Sequence, residues 1–426
     1  MKNILIWFTN DLRTHNHPAL QTAIQSGDTI LAIWVRENPC LLPSKLDLPR
    51  ISRKRIQFQN ESICALEKNL NRLSIPLKIF EAYNPHELNN FLEQNQIQEI
   101  YRQVTRAWEE NQFTKRIIQD LSRKDLQFHF FNEPQILSDP TYCDQLPSLF
   151  THFKKNKETQ LITDTKEDDE FQISFEKEDV WKKITVDHVP TDYRIARGGE
   201  NAAMSRLSEY FMQVEKVAQY FETRNALKGR DFSTKFSFWL SNGSLSPLSL
   251  LKRINRFEQE HISNKSTQWI KYELLWSLFF QLTESKHQQN CYLKSGIQRK
   301  RQLGQENNFD LFENWAKGET SNELVNACMK ELYFTGFLSN RGRQIAASYL
   351  IHDLKVNWTW GAYYFEHHLI DYQSANNWLN WQYIAGVGND ARPQRYFNPE
   401  KQAEIYDPEG IYANDWKKLQ IQDIKG

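Results

Sequence analysis

An α/β domain with a doubly wound parallel sheet, followed by an all-α body, is the fold class that this sequence predicts. Three observations carry it. Between residues 3 and 132, short β-branched apolar runs alternate with longer amphipathic ones, the pattern of βαβ crossovers. From about 200 onward nearly every candidate segment has helical spacing, punctuated by Gly, Asn, Ser and Pro. Residues 154–187 lie between and are dominated by charge, with apolar residues too sparse for a core, so they read as a long surface linker. At 426 residues the chain exceeds what one core usually supports. The expected division is 1–135, an interdomain linker over 136–197, and a helical domain over 198–426.

The strands are expected at ILIWF (4–8), TILAIWV (29–35), PLKIF (76–80), EIYRQV (99–104) and LQFHFF (126–131). Ile56, Phe58, Ile63, Leu66, Leu70 and Leu73 mark a helix over 55–73, and a second is expected over 108–121. No GxGxxG follows the first strand, so a dinucleotide fingerprint is absent and ligands must be argued from side chains. Further helices are expected over 200–221, 246–260, 267–286, 322–334, 341–353, 360–369 and 377–385.

Lys+Arg and Asp+Glu both number 53, so there is no global basic bias, and any nucleic-acid site must be a local patch. Five scattered cysteines without a CxxC pair indicate neither a disulfide framework nor a zinc site, and a reducing cytoplasm fits best. No apolar run approaches the ~20 residues that cross a bilayer, and the start of the chain is too short for a secretory signal. A soluble protein is therefore expected, and a monomer is the expected state.

The aromatic load, with 13 Trp, is concentrated in the last two-thirds of the chain. Around Trp358, Trp360, Trp378 and Trp381 sit Asn340, Arg341, Arg343, Asp371, Asn376 and Asn377. Buried polar groups need partners, and so many beside so much indole suggests a large, polar, aromatic ligand such as a flavin. Arg343 and Asp371 form a plausible pair, either a structural bridge or a device that polarises a bound ring. Asn377 caps a helix or bonds a ring nitrogen. Trp358 and Trp381 are core packing or an electron-hopping route. Thr234, Lys235 and Ser237 are either phosphate ligands at a helix start or an N-cap beside an exposed lysine. Glu273 and Trp276, spaced i, i+3, share a helix face that is either simply amphipathic or able to receive an extruded base. Arg299, Lys300, Arg301, Arg392 and Arg395 could line a phosphate rim. His15, His17, His367 and His368 lack the spacing of a metal site and read as solvated or capping residues, so no metal is expected.

These segments together resemble the photolyase/cryptochrome family, specifically its DASH cryptochrome branch. WFTNDLRTHNHPAL (7–20), LPSLFTHFKK (146–155), GGENAAMSRLSEYF (198–211), STKFSFWLSNGSLSP (233–247), TGFLSNRGRQ (335–344) and the run 381–410 carry the likeness, which spans nearly the whole chain. The resemblance implies an antenna-type N-terminal domain, a helical domain holding FAD, and blue light as the energy source for splitting cyclobutane pyrimidine dimers, chiefly in single-stranded or looped DNA. It implies that Tyr220, Thr234, Lys235, Phe236 and Ser237 hold the FAD phosphates, and that Asn340, Arg343, Asp371 and Asn377 surround the flavin ring. Glu273 and Trp276 then line the lesion cavity, and Trp381 and Trp358 are the inner members of an electron-transfer chain.

The departures point towards an altered function. Ser277 and Leu278 stand where the family has arginine and an acid, and TSNELVNA (320–327) where it has TGYPxVDA. No tryptophan occupies the outermost position of the electron chain, where Gln305 is the nearest match. Phe238 replaces a proline and Leu379 a glycine, the latter expected to crowd the flavin. Gln103 and Thr9 replace a glutamate and an arginine of the N-terminal domain, which weakens the case for a methenyltetrahydrofolate antenna. A blue-light photoreceptor or DNA-binding regulator that has lost repair is the alternative these changes raise.

Overall fold

The computed structural model describes residues 2–36, 46–132, 145–157, 175, 177–183, 194–300, 306–389 and 395–425. In its first part β1 (Asn3–Phe8), α1 (Pro18–Ser26), β2 (Thr29–Val35), α2 (Arg53–Arg72), β3 (Leu77–Phe80), α3 (Pro85–Gln94), β4 (Glu99–Gln103), α4 (Trp108–Asp120) and β5 (Gln127–Phe131) alternate along the chain. The strands form one sheet in the order β3-β2-β1-β4-β5, and every pairing is parallel. Alternate residues of β1 feed two cores: Ile4, Ile6 and Phe8 pack on one face, Leu5 and Trp7 on the other. That two-sided burial is why the strands read as continuous apolar runs.

The sheet is followed by α5 (Phe150–Lys157), β6 (Trp181–Lys183) and β7 (Arg194–Ala196), the last two paired antiparallel. Most of the expected linker lies outside the described residues. Its described part corrects the sequence reading: Val180 and Trp181 are buried, and Trp181 packs on Trp239 with Arg206 over its ring. Local charge density concealed a tryptophan that only a distant partner buries.

The helical body comprises α6 (Glu200–Phe211), α7 (Val214–Ala218), α8 (Tyr220–Thr223), α9 (Ser237–Ser241), α10 (Pro247–Glu260), α11 (Lys265–His287), α12 (Phe309–Lys317), α13 (Glu323–Thr335), α14 (Asn340–Ser348), α15 (Trp358–His368), α16 (Ser374–Ala385), α17 (Pro399–Tyr406) and α18 (Ile411–Lys417). The single helix expected over 200–221 is three short ones. Groups remote in sequence cap the second break, around Gln219: Asn264 Nδ2 donates to the Ala218 carbonyl at 2.9 Å, and the Phe221 N–H donates to Ser266 Oγ at 3.0 Å. α11 begins with a capping box between Asn264 and Thr267 and buries residues along most of its length. α14 runs on through a π-helical turn over Tyr349–Asp353.

The two parts are joined by buried polar contacts. Glu200 accepts hydrogen bonds from Thr14 N, Thr14 Oγ1 and His15 N, each at 2.8 Å, and from Asn69 Nδ2 at 3.0 Å. Gly243, at φ 71°, lies so close to the loop after β1 that a Cβ would sit 2.2 Å from the Asn10 carbonyl oxygen. Arg50 joins Glu109 of α4, at 2.8 Å, to Glu366 of α15, at 2.7 Å. His367 and His368 are buried, correcting the solvated reading, and their rings meet the carbonyls of Pro49, Ile424 and Lys425. His17 does cap α1, but it is buried against Asp11 at 2.9 Å.

Candidate flavin and substrate site

Glu273 and Trp276 share one side of α11, and the structure ties Glu273 to the stretch expected to hold phosphates. Tyr220 Oη donates to Glu273 Oε2 at 2.5 Å, while Arg224 pairs with Oε1 at 3.7 Å and lies over Trp269 at 4.3 Å. Burial pushes the Glu273 carboxyl above its ordinary value, against Tyr220, Arg224 and Trp269, which favour the anion. Arg224 went unnoticed in the sequence because nothing local marks it; its partner lies 49 residues away along the chain, the difference between 273 and 224.

Thr234 and Lys235 are buried, and Ser237 is exposed at the start of α9. The backbone N–H of Phe236 reaches Thr234 Oγ1 at 3.5 Å, and Arg206 Nε donates to the Thr234 carbonyl at 3.1 Å. Phe236 places its ring in the apolar core with Tyr210 and Phe211, and its carbonyl accepts from Trp239 N at 3.1 Å and Leu240 N at 3.0 Å. Lys235 is not the exposed lysine of the N-cap reading. It holds φ 61° and lies 3.7 Å and 4.0 Å from the ring centroids of Phe232 and Phe337.

Arg343 and Asp371 meet as expected: Nη2 bridges both carboxylate oxygens at 2.8 and 2.7 Å, and Nε donates to the Leu338 carbonyl at 2.8 Å. Ser339, not Asn340, caps α14, and Asn340 is exposed at its first position. Asn377 is buried in the first turn of α16, and its Nδ2 donates to the Ala362 carbonyl at 3.0 Å. Trp358 and Trp381 are both buried. The ring neighbours of Trp381 are Trp315, at 6.2 Å, and Phe365, at 5.0 Å, whereas Trp358 packs on Trp378 at 5.9 Å. Gly361 permits this arrangement, since a Cβ there would lie 2.2 Å from the Trp381 ring.

The departures also find partners. Ser277 Oγ contacts Gln373 Oε1 at 3.3 Å and accepts from Asn376 Nδ2 at 3.0 Å and Gln281 Nε2 at 3.2 Å, a neutral bridge between α11 and α16. Leu278 and Leu379 belong to the apolar core. Asn322 and Asn326 close the turn before α13, through Val325 N at 3.0 Å and Thr320 N at 2.8 Å. Gln305, Arg301 and Arg392 lie outside the described residues, while Arg395 stacks over Tyr383 at 4.0 Å. Among the described residues no cluster suits a metal ion, and no helix is long and apolar enough to cross a membrane.

A parallel α/β unit docked on a helical body with a half-buried guanidinium, a buried amide and buried indoles defines a two-part flavoprotein. Residues 269–420 match the FAD binding domain of DNA photolyase, and residues 4–170 match DNA photolyase. The chain is 35% identical over 429 residues to Cryptochrome DASH of Synechocystis sp., covering 97% of this chain and 87% of that one. It is 32% identical to Cryptochrome DASH of Gloeobacter violaceus, covering 97% and 85%. A crystal structure of the Synechocystis cryptochrome superposes with a TM-score of 0.87 at 32% identity, covering 100% of this chain and 91% of that one. A class III photolyase from Agrobacterium tumefaciens shares the fold, with a TM-score of 0.78 at 21% identity and coverage of 100% and 89%. The chain belongs to the photolyase/cryptochrome family.

FAD fits the residues present. The Lys235 ammonium, Arg343 Nη1 and Asn377 Oδ1 take no hydrogen bond from the protein among the described residues, so they retain donors for phosphate or carbonyl oxygens and an acceptor for a ring N–H.

Proposed function

We propose that the chain is a blue-light-dependent lyase that splits cyclobutane pyrimidine dimers, chiefly in single-stranded DNA, acting as a monomer in the cytoplasm. The observation that carries this reading is Glu273 beside Trp276 on one side of α11, in a chain of this family. Bound and fully reduced, FAD would supply light absorption and an electron that is lent and regained, so that the dimer's two carbon–carbon bonds would break without net redox change. The chain's own residues position the reactants. Trp276 offers a face for stacking, worth roughly 1–3 kcal/mol per base. Glu273, steadied by Tyr220 and Arg224, takes hydrogen bonds from a base edge. Arg224 carries a charge suited to the strand's phosphates. A dimer in single-stranded DNA avoids the few kcal/mol of unpairing that a duplex demands. Around the flavin, Lys235 and Ser237 hold phosphate, Arg343 and Asp371 polarise the ring edge, Asn377 orients a ring nitrogen, and Trp381 and Trp358 relay electrons.

The test is dimer loss from an oligonucleotide on blue illumination of FAD-loaded, fully reduced protein. No loss under those conditions sinks the enzyme reading. Trp276→Ala is expected to weaken binding of the dimer-bearing strand by at least about tenfold.

A light receptor without repair is the second reading, and the neutral Ser277–Gln373–Asn376 bridge favours it. Flavin photoreduction without dimer loss would select this reading. Ser277→Arg alone places an unpaired charge beside Gln373 and lowers FAD retention, whereas Ser277→Arg with Gln373→Asp recovers it. Equal retention by both variants contradicts the assignment of that bridge.

A further inference from the structure

We propose that Phe150 is a positioning residue that fixes the plane of the Trp276 indole and thereby sets the surface on which a substrate base stacks. This rests on the reading of Trp276 as a base-stacking residue. The Phe150 ring lies 3.6 Å from Trp276, centroid to centroid, at an interplanar angle of 13°. Aromatic pairs in cores usually meet edge-on or offset. Here one whole face of the indole is covered. The other rings around Trp276 meet it at steep or oblique angles: Phe279 at 79°, Tyr383 at 78° and Phe280 at 45°. One face and the edges are thus held, and no stacked ring lies on the opposite face among the described residues. Trp276 remains partly exposed, while Phe150 is buried.

Phe150 is itself well anchored. Phe153, one turn on, packs against Phe279 at 5.3 Å, and Lys154 Nζ sits 3.7 Å over the Tyr272 ring. Before α5, the Leu146 carbonyl accepts from Lys286 Nζ at 3.1 Å, and the Ser148 carbonyl accepts from Asn389 Nδ2 at 2.9 Å. The segment is therefore pinned to both ends of the site, to α11 and to the residues after α16. A stacking platform needs its plane fixed before the ligand arrives, because ordering it on binding reduces affinity.

The experiment compares wild type with Phe150→Ala, Phe150→Leu and Phe150→Tyr, all FAD-loaded and checked for flavin absorbance and far-ultraviolet circular dichroism. Protein labelled with 5-fluorotryptophan gives a 19F resonance for Trp276, assigned by its loss in Trp276→Phe. That resonance is expected to shift or broaden in Phe150→Ala and Phe150→Leu and to be retained in Phe150→Tyr. Affinity for a dimer-bearing single strand is expected to fall about tenfold in Phe150→Ala, with affinity for the undamaged strand unchanged and Phe150→Tyr at the wild-type level. An unchanged resonance in Phe150→Ala overturns the proposal. So does a rise in dimer affinity, which would make Phe150 a plug. Phe150→Leu decides the question if Phe150→Ala does not fold. If wild type does not distinguish the damaged from the undamaged strand, the repair reading fails, and the resonance still decides whether Phe150 sets the indole plane.

Discussion

At the carboxyl ends of β1 and β4, the point where the strand order reverses, Glu110 accepts from the Asn10 amide at 2.7 Å and from the Thr105 hydroxyl at 2.5 Å. Asp11 there takes the Thr9 N–H at 2.6 Å and faces His17. In the helical body, by contrast, Lys235 and Arg343, both over the Phe337 ring, and Asn377 retain unused hydrogen-bonding groups. Open α/β sheets bind ligands at such a reversal, yet in this chain the side chains at the mouth largely satisfy one another. Among the described residues there, Gln103 Oε1 and Trp7 Nε1 are buried without a hydrogen-bond partner. The contrast is between a mouth whose polar groups are largely paired and a helical body that keeps donors and an acceptor unused.

Three perturbations test that contrast. The largest effect is expected from Arg343→Ala, which leaves Asp371 buried without its cation and destabilises the fold by roughly 3–5 kcal/mol. Denaturant midpoints with and without FAD measure it, and a loss below about 1 kcal/mol would rank the pair with exposed bridges.

Lys235 gives a pH signature. Burial, reinforced by Arg206 and Arg343 and opposed by Glu331 and Asp371, pulls its ammonium from 10.5 down to about 7. Between those values the unfolded chain binds the extra proton, so the cofactor-free protein gains stability as pH rises, by up to ~1.4 kcal/mol per pH unit. Lys235→Met is expected to flatten the rise, read as Tm from pH 7 to 10, and to release FAD more readily. An equally steep rise in the variant assigns it elsewhere.

The smallest effect belongs to Asn10→Ala, whose bond to Glu110 is exposed. It is expected to cost ~0.5–1 kcal/mol and to leave FAD binding unchanged. A change in flavin content would show that the two regions are coupled.

Much was legible in the residues. The five strands fall within a residue or so of their expected ends, because two-sided burial writes an apolar run and the turns between them are polar. The Arg343–Asp371 pair was legible because two charges amid indoles demand a partner. α1, α3, α5, α12, α17 and α18 were missed: each is ten residues or fewer, shorter than the windows of about 11–18 residues over which helical periodicity shows. Neither break of 200–221 carries a Gly or Pro, and the second is capped by Asn264 and Ser266. Arg224 on Glu273, Trp315 beside Trp381 and Phe150 on Trp276 join residues from separate elements.

Composition and spacing by themselves determined the alternation of strands and helices followed by a helical body, since that is written in local periodicity. Tertiary structure decided which polar groups are satisfied and which are left for a ligand, because a hydrogen bond depends on ångström distances between residues that only the folded chain brings together.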